Sequence, residues 1–432
     1  MKRAVSTLKK SGYSGEIFYV EKEITPVEFK SNRLYAVEEK VKSGYGVRVF
    51  KDGRMGFSSV FGNNLDRAVE SAIESVKLGV ETDFSLPSPA RIKGSLKYYH
   101  EDTEKIKVKE MIKMGEELLN KLGVLGDVSI DISLRKSVKR VKILNTEGVE
   151  LEYKKTGWSF GAVVFAIVAD SVTWIYDFYS GSKFVDRRNQ IERYIKDLYR
   201  KSKTLAKPIK GKKDVIFMPS ALHTVLIPIS RGVNGENVMK GTSPLAGKLG
   251  KKVLSDKISI IDNPFKSWGI NTCPFDDEGV PTRKKYIFRN GVLENYILDL
   301  RSAKKLGLNP TGNGFRYEVS LPSPDFTNME IASGDTSIRD MISSMKDGLI
   351  VYSVLGAGQS NIIAGDFSVN ASLAFRVKNG EMVGRVKDTM IAGNSYRVFK
   401  KVKEVSRERK NFEGMLLPAI KFSSINIFGD GG

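Results

Sequence analysis

The sequence predicts an α+β protein, with an N-terminal strand cluster that includes long helices and a C-terminal, mostly antiparallel β-sheet or barrel-like domain. Three observations predict this class. The N-terminal half alternates apolar and polar residues over several runs of strand length. Three longer segments repeat apolar residues at intervals of three and four, as amphipathic helices do. The C-terminal half contains many short β-prone runs joined by turn residues, and strands beside a few helices indicate an α+β fold.

The first 60 residues predict strands, in the runs EIFYVEK, TPVEFK, RLYAVEEKV and YGVRVF. The dipeptide Asp52–Gly53 follows them, and it favours a tight hairpin turn because both residues tolerate positive φ angles. We therefore expect the last of these strands to turn back into the run MGFSSV.

Three helices are predicted in the N-terminal half. The first begins after Asn64, whose side chain can cap it, and ends before Gly79. The second is expected over about 103–122 and the third over about 187–203. Between the second and third helices strands return, and WSFGAVVFAIVAD and SVTWIYDFY predict a long antiparallel pair.

The lysine-rich segment 201–214 contains Pro and Gly and predicts a linker. We therefore place one domain at 1–205 and a second, β-rich domain at 206–432. A short helix, SALHTVLIPI, is expected early in the second domain. The dipeptides Asn290–Gly291 and Asn379–Gly380 lie between apolar runs and predict two further hairpins.

Length and composition exclude several classes of protein. A chain of 432 residues with 41% hydrophobic residues can build substantial cores. No run approaches the roughly 18 apolar residues that a membrane span requires. The start of the sequence is basic but lacks the apolar segment of a secretory signal. The single cysteine excludes an internal disulfide framework and is typical of a reducing cytoplasm, where we expect the protein to reside.

The formal net charge is +20, which favours attraction to nucleic acids, anionic membranes or acidic peptides. The lysines are scattered along the chain, however, and no known nucleic-acid-binding motif accompanies them. We interpret the charge as a solvated, lysine-rich surface.

Candidate metal ligands are few. The sequence has two histidines, His100 and His223, and one cysteine, Cys273. A zinc site normally needs three or four His, Cys or carboxylate ligands, and His223 has Ile227 rather than a ligand four residues later. We predict packed or surface histidines and an inert thiol.

The carboxylates of Asp276, Asp277 and Glu278 could bind a divalent cation or act as acid and base. The alternative, which composition favours, is a solvated turn or a hinge capped by backbone hydrogen bonds. Glycine clusters at 312–314 and 356–358 do not lie in a strand–loop–helix nucleotide motif. They indicate a backbone that turns tightly or approaches a ligand closely.

Several motifs, taken in order, resemble the TldD/PmbA family, also called TldD/TldE and once described as modulators of DNA gyrase. The resemblance covers nearly the whole chain. The motifs are VRVFKDGRMGF at 47–57, KGTSPLAGKLG at 240–250, PFDDEGVPT at 274–282, PTGNG at 310–314 and GLIVYSVLGAGQSNIIAGDFS at 348–368.

The resemblance implies a cytoplasmic metalloprotease assembled from two related subunits. TldD-type chains bind zinc through HExxxH on a helix and a later cysteine. In this sequence the corresponding positions fall on Leu226, Ile227 and Arg231, and Pro228 is expected to disrupt the helix. The tail GMLLPAIKFSSINIF has no cysteine and resembles the TldE/PmbA ending.

We therefore expect a TldE/PmbA-like subunit of a two-subunit zinc metalloprotease that acts on unfolded or small peptides. No catalytic residue, metal ligand or cofactor is expected in this chain, and zinc is expected in the TldD-type partner. A homodimer is possible in isolation, and neither a membrane nor a specific nucleic acid is expected as a partner. The candidates for contact with extended peptide are Asn313, Gly356, Gly358, Gln359, Asn361 and Asp366.

Two alternatives remain open. The chain could be a stand-alone, divergent metallopeptidase that binds metal through the carboxylates near Asp276. It could also be a nucleic-acid-associated regulator, which the net charge and the older gyrase description suggest.

Overall fold

The computed structural model describes residues 1–356 and 361–429. Short and long helices flank two large sheets in this part of the chain. The helices are α1 (Lys2–Lys10), α2 (Leu65–Ser75), α3 (Glu101–Lys105), α4 (Val108–Gly123), α5 (Arg188–Ser202), α6 (Pro219–Gly232), α7 (Gly235–Met239), α8 (Leu300–Lys305), α9 (Ile338–Ser343) and α10 (Ser395–Val398).

The N-terminal sheet is antiparallel, with strand order β5-β4-β3-β1-β6-β7-β8, and β2 pairs with β1. Strands β7 and β8 form the long antiparallel pair that the sequence predicts. The strands are β1 (Ser14–Lys30), β2 (Arg33–Val37), β3 (Lys40–Lys51), β4 (Arg54–Phe61), β5 (Val80–Glu81), β6 (Val128–Asn145), β7 (Glu150–Val168) and β8 (Ser171–Gly181).

The C-terminal sheet follows the order β12-β11-β10-β15-β21-β19-β17-β16-β9, and β18 and β20 pair at its sides. Strands β13 and β14 form a separate hairpin. The strands are β9 (Gly211–Phe217), β10 (Ile260–Asp262), β11 (Lys285–Arg289), β12 (Val292–Leu293), β13 (Gly314–Phe315), β14 (Ser323–Pro324), β15 (Met329–Ile331), β16 (Asp347–Leu355), β17 (Asp366–Lys378), β18 (Glu381–Arg385), β19 (Thr389–Asn394), β20 (Val402–Phe412) and β21 (Met415–Gly429).

Five strands of this sheet close into a barrel. Strand β9 pairs with β16 in parallel and with β21 in antiparallel orientation, while β16, β17, β19 and β21 pair in succession. Closure leaves these strands without a free edge. The predicted fold class, including the barrel-like C-terminal sheet, is confirmed.

The predicted hairpin turns form as expected. Asp52–Gly53, Asn290–Gly291 and Asn379–Gly380 each place both residues at positive φ, between 47° and 81°. This geometry matches the right-handed twist of the adjoining strands. Asn64 caps α2 by accepting a hydrogen bond from the Arg67 backbone N–H, also as predicted.

Two local predictions are wrong. Residues 2–10 form α1 instead of a strand, and Leu8 of that helix is buried against Ile17 and Ala72. The single helix expected over 103–122 is interrupted, because the backbone becomes extended at Ile106 between α3 and α4. In both cases packing against the N-terminal sheet decides the local conformation.

The two faces of the N-terminal sheet have different neighbours. Helices α4 and α5 cover one face, and their core continues into the barrel through Ile350 and Phe375. On the opposite face, Phe18 and Val141 pack against Phe275 of the C-terminal half. The sheet therefore contacts C-terminal residues on both sides.

The segment predicted as a linker packs against the C-terminal sheet. After α5 ends, Leu205 forms a parallel bridge with Arg385, and the Arg385 guanidinium donates to the carbonyl of Ser202. The proposed boundary at 205/206 remains a prediction. Among the described residues, no helix is both long enough and apolar enough to cross a membrane.

Candidate functional site

Helix α6 forms one side of a cleft on the C-terminal half. Pro219 begins the helix, at the position where a missing N–H costs least. The helix runs on through Pro228 to Gly232, so the predicted disruption is wrong. Burial of one helix face outweighs the single backbone hydrogen bond that Pro228 cannot donate. The large apolar side chains on the buried face are Leu222, Val225, Leu226 and Ile229.

The other face of α6 lines a cleft of about 320 Å³. The turn between β20 and β21 borders the cleft on one side, and residues 325–327 border it on the other. The polar lining side chains are His223, Ser230, Arg231, Asn234, Asn271, Asp325, Thr327 and Glu413. The cleft thus offers hydrogen-bond donors, acceptors and charges of both signs.

His223 lies at the β20–β21 end of the cleft. Its ring centroid is 5.6 Å from that of Phe412, and its Nδ1 lies 3.9 Å from Oε2 of Glu413. Burial lowers the pKa of His223, and the Glu413 carboxylate opposes this effect. The imidazole is therefore neutral near pH 7 and can both donate and accept a hydrogen bond.

The positions that the resemblance assigns to HExxxH, namely two zinc-binding histidines at 226 and 231 and a general-base glutamate at 227, do not fit a zinc site. Leu226 is 1% exposed and packs into the barrel core. Ile227 is half-buried at the cleft, and Arg231 is exposed. Two hydrocarbon side chains and a guanidinium provide no ligand for a cation. Among the described residues, no group of three His, Cys, Asp or Glu side chains is arranged to hold a metal ion.

Hydrogen bonds hold the opposite wall of the cleft. The Asn234 side chain donates to the carbonyl of Pro324 at 2.6 Å. Burial raises the pKa of Asp325, while the nearby Arg231 lowers it. Asp325 and Arg231 therefore place opposite charges on the lining of the cleft.

Asn313 is one of the predicted peptide contacts, but it lies fully buried behind this wall. Its side-chain amide donates to Oδ2 of Asp262 at 2.9 Å and to the carbonyl of Asp325 at 2.8 Å. Asp262 also accepts from Lys285 and Thr327. Asn313 thus positions the wall without contacting the cleft.

The other predicted peptide contacts lie elsewhere. Asn361 accepts a hydrogen bond from the backbone N–H of Ala364, and Asp366 accepts one from Asn394. Gly356 follows β16 at a φ of 92°. None of these three residues lines the cleft beside α6. Gly358 and Gln359 lie outside the described residues.

The turn at Asp276–Glu278 is fully buried, so the interpretation as a solvated turn is wrong. The expected backbone capping is present. Oδ1 of Asp276 accepts from the N–H groups of Glu278 and Val280, and Oδ2 accepts from that of Gly314. These contacts occupy the Asp276 carboxylate and argue against an accessible metal site there.

Glu278 belongs to a buried charge network that joins the two halves of the chain. Arg48 Nε donates to Oε1 of Glu16 at 2.7 Å, and Arg48 Nη1 donates to Oε1 of Glu278 at 2.9 Å. Arg316 also pairs with Glu16. Burial raises the pKa of Glu278 to about 7, although Arg48 opposes the shift. The sequence signals for this network are a single charge at the start of the run EIFYV and one inside the run VRVF.

Cys273 precedes this turn in the core beside Tyr153 and Phe275. Burial raises the pKa of its thiol to about 12. The thiol is therefore protonated near neutral pH and is not a nucleophile in the folded protein.

Comparisons with known proteins agree with this architecture. Residues 210–429 match a model described as the PmbA/TldA metallopeptidase C-terminal domain, and residues 15–76 match one described as domain 1. This chain belongs to the PmbA/TldD metallopeptidase family. An uncharacterized protein of Methanocaldococcus jannaschii is 28% identical over 410 residues, 93% of each chain.

Two solved structures of family members superimpose over almost the whole chain. TldE from Thermococcus kodakarensis has a TM-score of 0.92 and 25% identity, over 99% of this chain and 100% of that one. A Thermotoga maritima protein described as a modulator of a DNA gyrase has a TM-score of 0.91 and 26% identity, over 99% of each chain. The PmbA/TldD fold is therefore retained throughout this family member.

Proposed function

We propose that this chain is the TldE/PmbA-type subunit of a two-subunit, cytoplasmic TldD/TldE zinc metalloprotease that acts on unfolded or small peptides. The observation that supports this role is the cleft beside α6. It is open and polar, yet Leu226, Ile227 and Arg231 stand where the resemblance places the two histidines and the glutamate of HExxxH. The zinc would then be held by the TldD-type partner.

The cleft would contribute to binding of an extended peptide. A peptide main chain needs donors and acceptors at intervals along its length, and these contacts are tolerant of sequence. The side chains of Asn271 and Ser230 offer such groups, while Ile227 provides apolar contact. Arg231 and Asp325 add opposite charges that would orient the charged ends or side chains of the peptide.

Co-purification tests the proposal. The chain is expressed together with a TldD-type chain, and peptidase activity on an unfolded peptide is measured with and without a chelator. We expect a stable complex and chelator-sensitive activity that neither chain shows alone. A chain that forms only homodimers, or a complex no more active than the TldD-type chain, would contradict the proposal. Stoichiometric zinc in this chain alone would also overturn it.

Variants of the cleft refine the test. Arg231→Ala is expected to raise KM of the assembled enzyme several-fold, because the guanidinium faces the bound peptide. Arg301→Ala is a matched control, since Arg301 is exposed on α8 and does not line the cleft. Equal kinetics for the two variants would remove the cleft from the binding site.

A nucleic-acid-associated role is the second candidate. The net charge of +20 and the description of the Thermotoga relative favour it. A salt titration of DNA binding is the test. Tight binding that persists at 200 mM salt would support this role, whereas weak, sequence-independent binding that vanishes would indicate bulk charge alone.

A further inference from the structure

Four lysines form a row across four adjacent strands of the N-terminal sheet. Lys22 on β1 lies directly opposite Lys42 on β3 and directly opposite Lys139 on β6. Lys139 in turn lies directly opposite Lys155 on β7. Directly opposed residues project from the same face of a sheet. The four side chains therefore stand side by side, with neighbouring strands roughly 4.8 Å apart.

Opposed like charges destabilise a sheet. Among the residues that the structure describes, only the two end lysines of this row have polar partners. Lys42 Nζ donates to Oε1 of Glu318 at 2.8 Å, and Lys155 Nζ donates to the carbonyl of Thr272 at 3.3 Å. Within the described residues, Lys22 and Lys139 form no ion pair with a carboxylate. In this part of the chain the middle of the row is thus a pair of adjacent ammonium groups without an ion pair, and Glu318 offsets their charge only in part.

The surroundings of the row lower the pKa values of two of its lysines. Burial lowers the pKa of Lys22, and the positive charges of Lys139 and Arg135 lower it further. Burial likewise lowers the pKa of Lys155 to about 8, and Lys139 adds to the effect. An anion placed over the row would offset the repulsion and the cost of desolvation, because a nearby opposite charge favours the charged form of each lysine.

A cleft lies over the row. It measures about 320 Å³, and Lys22, Lys42 and Lys139 line it together with Arg316 and Glu318. Arg316 is committed to Glu16 and to the carbonyl of Ser320, so it contributes positive potential instead of a free donor. Among the described residues, this cleft shares no lining residue with the cleft beside α6.

We propose that the lysine row is a binding site for a compact ligand that bears two or more oxyanion groups, either phosphates or carboxylates. The row presents point charges at the spacing of neighbouring strands, and each ammonium can donate to an oxygen of such a ligand. The carboxylate of Glu318 would repel an anion at the Lys42 end of the row, which places the ligand over Lys22 and Lys139. The proposal is independent of the peptidase role and extends beyond it.

Calorimetric titration of the full chain at 0.15 M salt tests the site. One arm uses inorganic pyrophosphate and the other uses tri-glutamate, which separates a phosphate ligand from a carboxylate ligand. We expect saturable binding of at least one of them, and a loss of tenfold or more in affinity for Lys22→Gln and Lys139→Gln. Lys77→Gln, at an exposed lysine after α2, is the matched control and is expected to bind like the wild type.

Thermal unfolding supplies an independent readout. Without ligand, Lys139→Gln is expected to unfold at the same or a higher temperature than the wild type, because repulsion is removed. A lower unfolding temperature would indicate that Lys139 has a structural partner and would overturn the site. Absence of binding in both arms, or equal losses of affinity in the Lys77 and Lys139 variants, would show that the row acts only as general positive charge and would overturn the site.

Discussion

Replacing Arg48 by Met breaks the buried network that joins the two halves of the chain. Arg48 is 2% exposed and donates to both Glu16 and Glu278. Met preserves most of the side-chain length but removes the charge and every donor. Glu16 keeps its contact with Arg316, whereas Glu278 keeps only the backbone N–H of Leu300, at 2.8 Å. The substitution therefore leaves mainly one buried carboxylate, that of Glu278, without a charged partner.

Removing one partner of a buried ion pair costs about 3–5 kcal/mol, because the remaining charge stays desolvated. Since Arg316 still serves Glu16, we expect the lower part of this range, about 3 kcal/mol at pH 8. The pKa of Glu278 is already raised to about 7 and rises further without Arg48. Protonation of Glu278 at lower pH then removes the buried charge. Each unit by which the pKa is raised corresponds to about 1.4 kcal/mol of free energy.

The sign of the pH dependence follows from this raised pKa. A carboxyl group whose pKa is higher in the folded than in the unfolded state favours folding at low pH. In the wild type this contribution of Glu278 is complete below about pH 4.5 and is lost as pH rises through about 7. We therefore expect the penalty of Arg48→Met to be largest at pH 8. It should shrink by at most about 1.4 kcal/mol, to about 1.6 kcal/mol, near pH 5.5, because the wild-type carboxyl group is itself protonated below about pH 7.

Urea unfolding followed by far-UV circular dichroism, at both pH values, measures these differences. Arg54→Met is the control, since the Arg54 side chain is 46% exposed, and it should change stability by about 0.5 kcal/mol or less. Adding Glu278→Gln to Arg48→Met should restore part of the loss at pH 8. A penalty below about 1 kcal/mol at pH 8, or one that grows on acidification, would refute the assignment of a stranded Glu278 carboxylate.

Three further outcomes follow from burial. Leu226→Ala should lower the free energy of unfolding by about 2–5 kcal/mol, because Leu226 lies in the barrel core, whereas Ile227→Ala at the cleft should cost about 1 kcal/mol; equal losses in denaturant titrations would contradict this. A thiol reagent should leave Cys273 unmodified in the native protein at pH 8 and modify it in urea, since the thiol is buried with a pKa of about 12. Gly314→Ala should destabilise the protein by about 1–3 kcal/mol, because its Cβ would overlap a buried carboxylate, and the unobstructed Gly94→Ala should be nearly neutral in thermal unfolding.

Local patterns predicted much of the fold. The hairpin at Asn290–Gly291 needs two residues that adopt positive φ, and the dipeptide itself supplies that freedom. The helix stripe after Asn64 and the alternation in β7 likewise depend on neighbours a few residues away. Such information is complete within a short segment, which explains why these elements agree with the structure.

The candidate site was only partly predictable. The resemblance directed attention to Leu226, Ile227 and Arg231, and α6 does place all three at the polar cleft, although Leu226 is 1% exposed and packs mainly into the core. Asn313 was expected to contact peptide, but its side chain is buried behind the wall of the cleft, where its amide donates to Asp262 and to the carbonyl of Asp325. Whether a polar side chain faces a ligand or the interior depends on partners that, for Asn313, lie 12 and 51 residues away in the sequence.

The sequence by itself determined the α+β class, the hairpin turns, the scarcity of metal ligands and the family resemblance, since each depends on residue types and short spacings. Only the tertiary structure decided that α6 continues through Pro228, that the Asp276–Glu278 turn is buried, and that four lysines meet on one sheet face. Burial and strand register arise when distant segments pair, and the free energy of that packing exceeds local conformational preferences.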